Sequence, residues 1–327
     1  MRFPPYICAV AFLALSCTAP LPPAPELPTK SGWTLQQGGV KTALGGLFFI
    51  DAQRGFASGS HGVILHTTDG GATWAPQDSG VLSTLVSLTF PDDQYGWVVG
   101  DRGTILHTQD GGLSWKRQDS RMKKDLTQIT FVNRTQGWIT AVGGQLFATS
   151  DGGLHWTSQS IQPKVTLTTL SFVDGKHGWI AGHSGRIFHT DDGGVTWQHQ
   201  TTHTDRDLHR MTFIDLDHGW VVGSAGTILH TKDGGRNWHV QQSGVPTHLL
   251  GMTFAPNPPG QMGWIVGAGG TILRTTDAGE TWQQQPSGTL EFLINVAAID
   301  KNHLWAVGRA GTLLHTIHGG IPPPSTH

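Results

Sequence analysis

The chain has 327 residues, a formal net charge of −2 at pH 7 and a sequence pI of about 6.8. A nearly neutral chain lacks the basic signature of nucleic-acid-binding proteins, so we expect no nucleic-acid partner. The length alone would be compatible with two domains, but the repeats described below predict one.

The N-terminal segment predicts export and a lipid anchor. Met1–Ser16 contains one Arg and an apolar run, and the segment ends in Leu13-Ala14-Leu15-Ser16-Cys17, an acceptable lipobox. We therefore expect residues 1–17 to be a lipoprotein-type signal peptide with Cys17 as the lipidation site; cleavage by ordinary signal peptidase nearby is the alternative. Because Cys8 leaves with the signal, the mature protein would keep one cysteine and form no disulfide.

The next segment, residues 18–30, is rich in proline and is expected to form a stiff, extended tether. No other segment of the sequence is apolar over a length that would cross a bilayer. The mature protein is thus expected to be exported and held at a membrane by its lipid alone.

One segment, exemplified by Thr67-Thr68-Asp69-Gly70-Gly71-Ala72-Thr73-Trp74, recurs through the rest of the chain. The copies follow one another at steps of 41 residues, with a single step of 44. Six intact copies are anchored by Asp69, Asp110, Asp151, Asp192, Asp233 and Asp277, and a damaged seventh has His318 at that position. A fixed period in this range predicts a repeat architecture whose units bury their cores against their neighbours.

Each repeat is predicted to contain four short strands, because apolar and β-branched runs are punctuated by Gly and Asp. In the second repeat the predicted strands are Leu85–Phe90, Trp97–Gly100, Thr104–Thr108 and Trp115–Gln118. Four strands in about forty residues, repeated radially, are typical of a β-propeller blade.

The recurring segment is the Asp box, S/T-x-D-x-G-x-T-W, in which the Asp is expected to accept hydrogen bonds from N–H groups of its own turn. The closing Trp is expected to pack against the neighbouring blade. All 13 tryptophans fall into two repeated slots, one at the outermost strand and one at the second strand, where Phe56 replaces Trp in the first blade. None is left as an exposed platform for stacking a sugar.

The two ends of the chain are predicted to meet in one blade. The last Asp box has no outer strand after it, whereas Gly32-Trp33-Thr34-Leu35-Gln36-Gln37 matches the outer strand at Trp238–Gln242. The N-terminal strand should therefore complete the last blade and remove an open sheet edge. The prediction is an all-β, seven-bladed propeller over residues 31–318, with a disordered tail at 319–327.

Catalytic and metal-binding patterns are weak in this sequence. Five histidines share one slot of the third strand, one per blade, and are expected to form structural hydrogen bonds: His66, His107, His189, His230 and His315. Neither HExxH nor a P-loop is present. Tyr95, the one tyrosine after the signal, lies on the face opposite the usual catalytic mouth of Asp-box sialidases.

Glycosidases need two carboxylates at one cleft. The candidates near the expected mouth are Asp101, Asp125, Asp205, Asp207 and Glu291, and most of them adjoin basic residues. We therefore expect no enzymatic activity, no metal and no cofactor.

Charged residues are expected to separate between the two faces of the propeller. The loops that join blades and those that join second to third strands share one face, on or beside which lie Arg102, Arg121, Lys123, Lys124, Lys164, Arg186, Arg206, Arg210 and Arg309. The opposite face collects the Asp-box carboxylates. A basic face predicts an acidic partner surface; ordinary solvated loop charge is the alternative.

The string Gly-Trp-Val-Val-Gly-x-x-Gly-Thr-Ile-Leu-His-Thr-x-Asp-Gly-Gly-x-x-Trp, present at Gly96–Trp115 and Gly219–Trp238, resembles the photosystem II stability and assembly factor family. The resemblance covers residues 31–318. It implies a non-enzymatic, lumenal propeller, often lipid-anchored, that binds newly made reaction-centre subunits such as the D1 precursor through an Arg-rich surface.

This resemblance predicts a scaffold on the periplasmic or thylakoid-lumen side of a membrane. Its partner would be a membrane-protein subunit, and a photosystem II reaction-centre polypeptide if the organism is oxygenic. Two alternatives remain open: an exported carbohydrate-active or glycan-binding propeller, and a surface lipoprotein with a partner outside photosynthesis.

Overall fold

The computed structural model describes residues 31–159, 161 and 165–322. The described chain forms seven sheets of four antiparallel strands each, arranged as the blades of a propeller. The first strands of neighbouring blades contact each other around a complete ring, blade 7 against blade 1 included. The all-β, seven-bladed prediction is confirmed. The expected signal peptide with Cys17, the tether at 18–30 and Lys164 lie outside the described residues.

The strands of each blade run in chain order from the channel outwards, except that the N-terminal strand supplies the last position. Blade 1 contains Leu44–Phe49, Gly55–Gly59, Ile64–Thr67 and Ala75–Gln77, and blade 2 contains Leu85–Thr89, Gly96–Gly100, Thr104–Thr108 and Lys116–Gln118. Blade 3 contains Leu126–Phe131, Gly137–Ala141, Gln145–Thr149 and Thr157–Gln159, and blade 4 contains Leu167–Phe172, Gly178–Gly182, Ile187–Thr190 and Gln198–Gln200. Blade 5 contains Leu208–Phe213, Gly219–Gly223, Ile228–Thr231 and His239–Gln241, and blade 6 contains Leu249–Phe254, Gly263–Gly267, Ile272–Thr275 and Gln283–Gln285. Blade 7 contains Leu293–Ala298, Leu304–Gly308, Leu313–Thr316 and the N-terminal strand Thr34–Leu35.

Short 3-10 turns join the second and third strands of six blades, at Ser60–Gly62, Asp101–Gly103, His183–Gly185, Ser224–Gly226, Ala268–Gly270 and Arg309–Gly311. In the described chain, no helix is long and apolar enough to cross a membrane.

The N-terminal strand closes the ring as predicted. Thr34 pairs with His315 and Leu35 pairs with Leu314, both in the third strand of blade 7. The Gln36 amide donates to the Leu313 carbonyl at 2.8 Å. The pairing covers the outer edge of that blade, which would otherwise expose unpaired backbone groups.

The seams between blades are filled by aromatic side chains. Trp97 of blade 2 stacks on Phe131 of blade 3 with ring centroids 3.7 Å apart, and its indole N–H donates to the Gly152 carbonyl in the Asp box of blade 3. Trp305 of blade 7 makes the equivalent bond to Gly70 of blade 1 at 2.9 Å. The closing Trp of the Asp box also reaches across a seam, as the sequence predicts: the Trp115 indole N–H of blade 2 donates to the Gln77 side chain of blade 1 at 3.0 Å.

The two faces of the propeller carry different connections. We call one the loop face: it contains the turns between second and third strands, such as 101–103, and the connections between blades, such as 119–125. The Gly103 amide donates to the Lys124 carbonyl at 2.7 Å and so joins these two kinds of loop. The other, the Asp-box face, contains the Asp boxes and the turns between first and second strands.

The C-terminal boundary of the propeller lies beyond residue 318. The Gly319 carbonyl accepts hydrogen bonds from the Trp264 indole and from the Gln285 amide. The Gly320 amide donates to the Thr316 hydroxyl at 3.0 Å. Gly319 and Gly320, which the sequence assigns to the tail, thus belong to the last turn; residues 323–327 lie outside the described chain.

Candidate partner-binding face

Each Asp box is held by hydrogen bonds within its own turn. In the first box, Asp69 accepts from the Thr73 amide at 2.9 Å and from the Thr73 hydroxyl at 2.6 Å. The Thr67 hydroxyl donates to Oδ1 of Asp69, the oxygen that also accepts from the Thr73 amide, and it accepts from the Gly71 amide; both distances are 2.8 Å. The same pattern recurs at Asp110, Asp151, Asp192, Asp233 and Asp277.

The Asp-box carboxylates are structural acceptors. Hydrogen bonds from Thr73 lower the pKa of Asp69 to about 2, because these bonds favour the ionised carboxylate. In the damaged seventh box, His318 replaces the Asp, yet the Thr316 hydroxyl still accepts from the His318 and Gly320 amides. The Thr thus keeps the turn in shape where the carboxylate is missing.

The repeated histidines stack on aromatic rings. One of them, His230, also makes a hydrogen bond of the predicted kind, because its Nδ1 atom lies 3.2 Å from the side-chain nitrogen of Gln241. His107 lies on Trp97 with ring centroids 4.5 Å apart, and His230 lies on Trp220 at 4.4 Å. The Nε2 atoms of four of these histidines are buried without a hydrogen-bond partner among the described residues: His66, His107, His230 and His315. Burial lowers the pKa of His230 to about 4, so this ring packs as a neutral aromatic at neutral pH.

Two of the five candidate catalytic carboxylates accept hydrogen bonds from backbone amides. Asp125 accepts from the Arg102 amide at 2.9 Å, and Asp207 accepts from the Ser184 amide at 3.0 Å. Both amides belong to turn residues on the loop face. Tyr95 lies on the Asp-box face beneath the Arg134 guanidinium, 4.3 Å from its ring centroid. No group of three metal-ligating side chains converges in the described part of the chain.

The predicted cations divide into three groups on or beside the loop face. The blade 2–3 cluster consists of Arg102, Arg121, Lys123 and Lys124, which the bond between Gly103 and Lys124 draws together. The blade 4–5 cluster consists of Arg186, Arg206 and Arg210, where the Gly185 amide donates to the Arg206 carbonyl at 2.8 Å. Arg309 lies apart in blade 7, with its guanidinium 4.3 Å from the centroid of the Phe292 ring.

Two cationic side chains of the loop face occupy left-handed backbone positions. Arg102 has φ of 56° and Arg121 has φ of 54°. At the position of Arg121, four other inter-blade loops have glycines with positive φ: Gly39, Gly80, Gly244 and Gly288. A residue other than glycine costs about 1 kcal/mol or more in this region. Arg121 is therefore an exposed, charged side chain at a strained backbone position.

The charge contrast between the faces comes mainly from the Asp-box face. On the loop face, cations and carboxylates are nearly balanced: Lys41, Arg102, Arg121, Lys123, Lys124, Arg186, Arg206 and Arg309 face Asp78, Asp101, Asp119, Asp125, Asp205, Asp207 and Glu291. On the Asp-box face, carboxylates outnumber the cations Arg54, Arg134, Lys176, Lys232, Arg236 and Lys301 by more than two to one. The loop face is thus locally basic in its clusters and is the more positive of the two faces.

The family model of the photosynthesis system II assembly factor YCF48 matches the chain in overlapping segments at residues 26–119, 78–166, 117–204, 154–243 and 240–322. The chain belongs to the YCF48 family. The family resemblance inferred from the repeated string is therefore confirmed. No curated protein matches the sequence significantly.

Solved YCF48 structures share the fold at low sequence identity. A structure described as YCF48 bound to D1 peptide is 22% identical, with a TM-score of 0.74, and the match covers 91% of this chain and 99% of that one. YCF48 from Cyanidioschyzon merolae is 20% identical, with a TM-score of 0.73, and the match covers 88% and 98% of the two chains.

A glycoside hydrolase shares the propeller architecture as well. The GH74 xyloglucanase from Xanthomonas campestris is 12% identical, with a TM-score of 0.69, and the match covers 90% of this chain but 55% of the enzyme. In the YCF48-family chain, the cavity between blades 4 and 5 has a volume of about 650 Å³ and includes Trp179 in its lining. That indole is only 1% exposed, so it offers no stacking surface to a sugar.

No pattern in the sequence indicates one group of side chains that lies beside the blade 4–5 cluster. His183, His209 and His248 come from three different parts of the chain and meet at the loop-face end of the channel. Each occurs once, outside the repeated histidine slot, and only the fold brings them together.

Proposed function

We propose that this chain is a non-enzymatic, exported assembly factor that binds a membrane-protein subunit through its loop face. Where the organism carries photosystem II, the subunit is a reaction-centre polypeptide and the bound segment belongs to D1. The observation that carries the proposal is the YCF48 family match along residues 26–322. The solved relative described as bound to a D1 peptide supports the choice of partner.

The loop face is our choice of binding surface because its cations are exposed and clustered. Arg102, Arg121, Lys123 and Lys124 are all exposed and lie on two loops joined by a backbone hydrogen bond. An exposed cluster of this kind raises the association rate of an acidic partner. Arg121 occupies a backbone position where glycine would be less strained, and we take this as support for a role of its side chain in binding.

The test is capture of partner polypeptides from native membranes by the tagged protein, with identification by mass spectrometry. We expect photosystem II reaction-centre subunits in an oxygenic organism. Recovery of other envelope proteins alone, or of none, would contradict the proposed partner. Binding of a polysaccharide instead would favour the glycan alternative.

Charge reversal then locates the surface. The triple variant Arg102→Glu, Arg186→Glu and Arg309→Glu should reduce capture at least about tenfold, with the largest effect at low salt, because exposed charges are screened over about 8 Å at physiological ionic strength.

The matched control reverses Lys176, Arg236 and Lys301, three exposed cations of the Asp-box face, and should capture normally. Equal capture by the wild type and both variants would remove the loop face from the proposal.

The lipid anchor is tested separately. Cys17→Ser should release the protein from membranes into the soluble fraction, because the anchor depends on a single thiol. Cys8→Ser, which changes the expected signal sequence upstream of the cleavage site, should leave the protein membrane-bound. If Cys17→Ser stays tightly bound, the proposed lipidation is wrong, whatever the result of the capture experiment.

A further inference from the structure

The cavity in the seam between blades 4 and 5 opens on the Asp-box face. Its volume of about 650 Å³ lies within the range of about 300–1,000 Å³ that small-ligand sites usually have. Blade 4 contributes side chains of its third and fourth strands, and blade 5 contributes its first turn and its Asp box. Side chains of both blades therefore face one space, among them His189, Asp191, Gln198, Leu216, Asp217 and Arg236.

Two other seams are bridged by charged side chains on this face. Between blades 5 and 6, Lys232 Nζ lies 2.6 Å from Glu280 Oε1. Between blades 2 and 3, the Arg134 guanidinium lies over the Tyr95 ring, 4.3 Å from its centroid. At the position of Arg134, blade 5 has Leu216, whose side chain is 48% exposed.

The seam between blades 4 and 5 has the charges for a bridge but leaves them apart. Asp191 and Arg236 precede Lys232 and Glu280 by one repeat, so that opposite charges again face each other across the seam. In the described chain, however, Asp191 and Arg236 form no ion pair. The two side chains line the cavity instead.

Some ionisable side chains of the lining are already engaged within the protein. Asp233 accepts hydrogen bonds from Thr231 and Asn237 of its own Asp box. The Nδ1 atom of His177 lies 2.8 Å from the Asp174 carboxylate. These two groups are held by their own turns and are not counted as ligand contacts below.

Three charged side chains of the lining have no partner among the described residues: Asp191, Asp217 and Arg236. All three are exposed, and Asp217 and Arg236 make hydrogen bonds through their backbone groups alone. None of the three belongs to an ion pair in the same part of the chain. Because two carboxylates face one guanidinium, the unpaired charge of the cavity is negative.

His189 shows that charges of both blades act on one point in the cavity. Burial lowers the pKa of its imidazole, Asp191 acts in the opposite direction, and His177 and Arg236 lower the pKa further. The ring centroid lies 4.8 Å from that of Trp179. The lowered pKa keeps the ring neutral at neutral pH, so that one ring nitrogen can accept a hydrogen bond from a ligand.

The lining matches a side chain with a cationic head and an apolar stem. Unpaired carboxylates form charge-assisted hydrogen bonds with ammonium and guanidinium groups. Lysine and arginine lay their methylene stems along apolar surface while the charged head reaches polar groups, and Leu216 offers such a surface in the cavity. The Asp-box face around the cavity is rich in carboxylates, which attract a basic segment from solution.

We propose that the cavity between blades 4 and 5 binds a lysine or arginine side chain of a partner polypeptide, with Asp191 and Asp217 as acceptors and Leu216 against the stem. The inference goes beyond the proposed function, because the cavity lies on the face opposite the proposed partner-binding surface. It gives the propeller a second docking surface with the reverse charge preference.

The test measures binding of a rhodamine-labelled tetra-lysine peptide by fluorescence anisotropy at low ionic strength. Asp191→Asn with Asp217→Asn should weaken binding at least about tenfold, as the loss of two charge-assisted contacts would give. Arg236→Gln should tighten binding, because it removes a cation from the lining. All three side chains are exposed, so these variants should keep the circular dichroism spectrum and the unfolding midpoint of the wild type.

The matched control is Asp93→Asn with Glu280→Gln, which removes two exposed carboxylates from the same face outside the cavity. It should bind the peptide as the wild type does. Equal weakening in both double variants would show that binding follows the net charge of the face, and the inference would then be wrong. No binding by the wild type, or tighter binding after Asp191→Asn with Asp217→Asn, would overturn it as well.

Discussion

Ring closure by the N-terminal strand makes Trp33 the most informative residue for stability. Its side chain is 5% exposed and packs in the cluster that contains Trp264, Leu293 and Leu314. Burial of about 150–250 Å² of aromatic surface corresponds to about 4–6 kcal/mol as an upper bound. Substitution of buried tryptophan by alanine typically costs about 3–5 kcal/mol. We therefore expect Trp33→Ala to lower the free energy of unfolding by about 3–5 kcal/mol.

The assay is equilibrium unfolding in urea, followed by tryptophan fluorescence and far-ultraviolet circular dichroism. The control is Leu35→Ala in the same strand, because Leu35 is 58% exposed and its loss should change the free energy by less than about 1 kcal/mol. Trp33→Ala should also self-associate, because weakening this strand uncovers the edge of Leu313–Thr316. Equal stability of the two variants would refute the idea that Trp33 fastens the ring.

Three further predictions concern the seams and loops. The free energy of unfolding of the wild type should fall as the pH drops from about 6.5 to 4, because His230 is protonated near its ordinary pKa in the unfolded chain but only near 4 in the folded chain. Unfolding experiments across that pH range should show a weaker dependence on pH for His230→Gln. Ala278→Gly should raise the free energy of unfolding by about 0.5–1 kcal/mol, since Ala278 has φ of 60° and glycine avoids the steric cost at a smaller entropic one. Arg121→Gly should leave the unfolding midpoint unchanged or higher while reducing partner capture, and lower stability with normal capture would contradict both parts.

The fold could be predicted almost completely from the sequence because the repeat is local and its period is fixed. Each Asp box contains its own hydrogen-bond donors and acceptor within a few residues, as between Asp69 and Thr73. Six intact copies and the damaged seventh gave the number of blades, and the match between Trp33 and the other outer-strand tryptophans placed the closing strand. In the second blade, the third strand has the predicted bounds, and each of the other three strands differs from its predicted bounds by one residue at one end.

The role of the repeated histidines required the tertiary structure. Their regular position suggested a shared function, but a 41-residue period does not show which ring lies beneath the imidazole. Registry between the second and third strands places His107 directly opposite Trp97, and the stack follows from that pairing. Burial then leaves the Nε2 atoms of His66, His107, His230 and His315 without hydrogen-bond partners among the described residues.

The candidate binding surface could also be predicted only in part from the sequence. From loop positions alone, the sequence placed the cations on or beside one face, because alternating strand directions fix the face of every connection. It did not show that Asp125 and Asp207 serve backbone amides, or that His183, His209 and His248 meet at the channel. Those contacts join different blades, and distance across a closed ring depends on the radial packing of the sheets. Sequence by itself therefore determined the repeat, the blade number and the closure, whereas the tertiary structure decided which charges are neighbours.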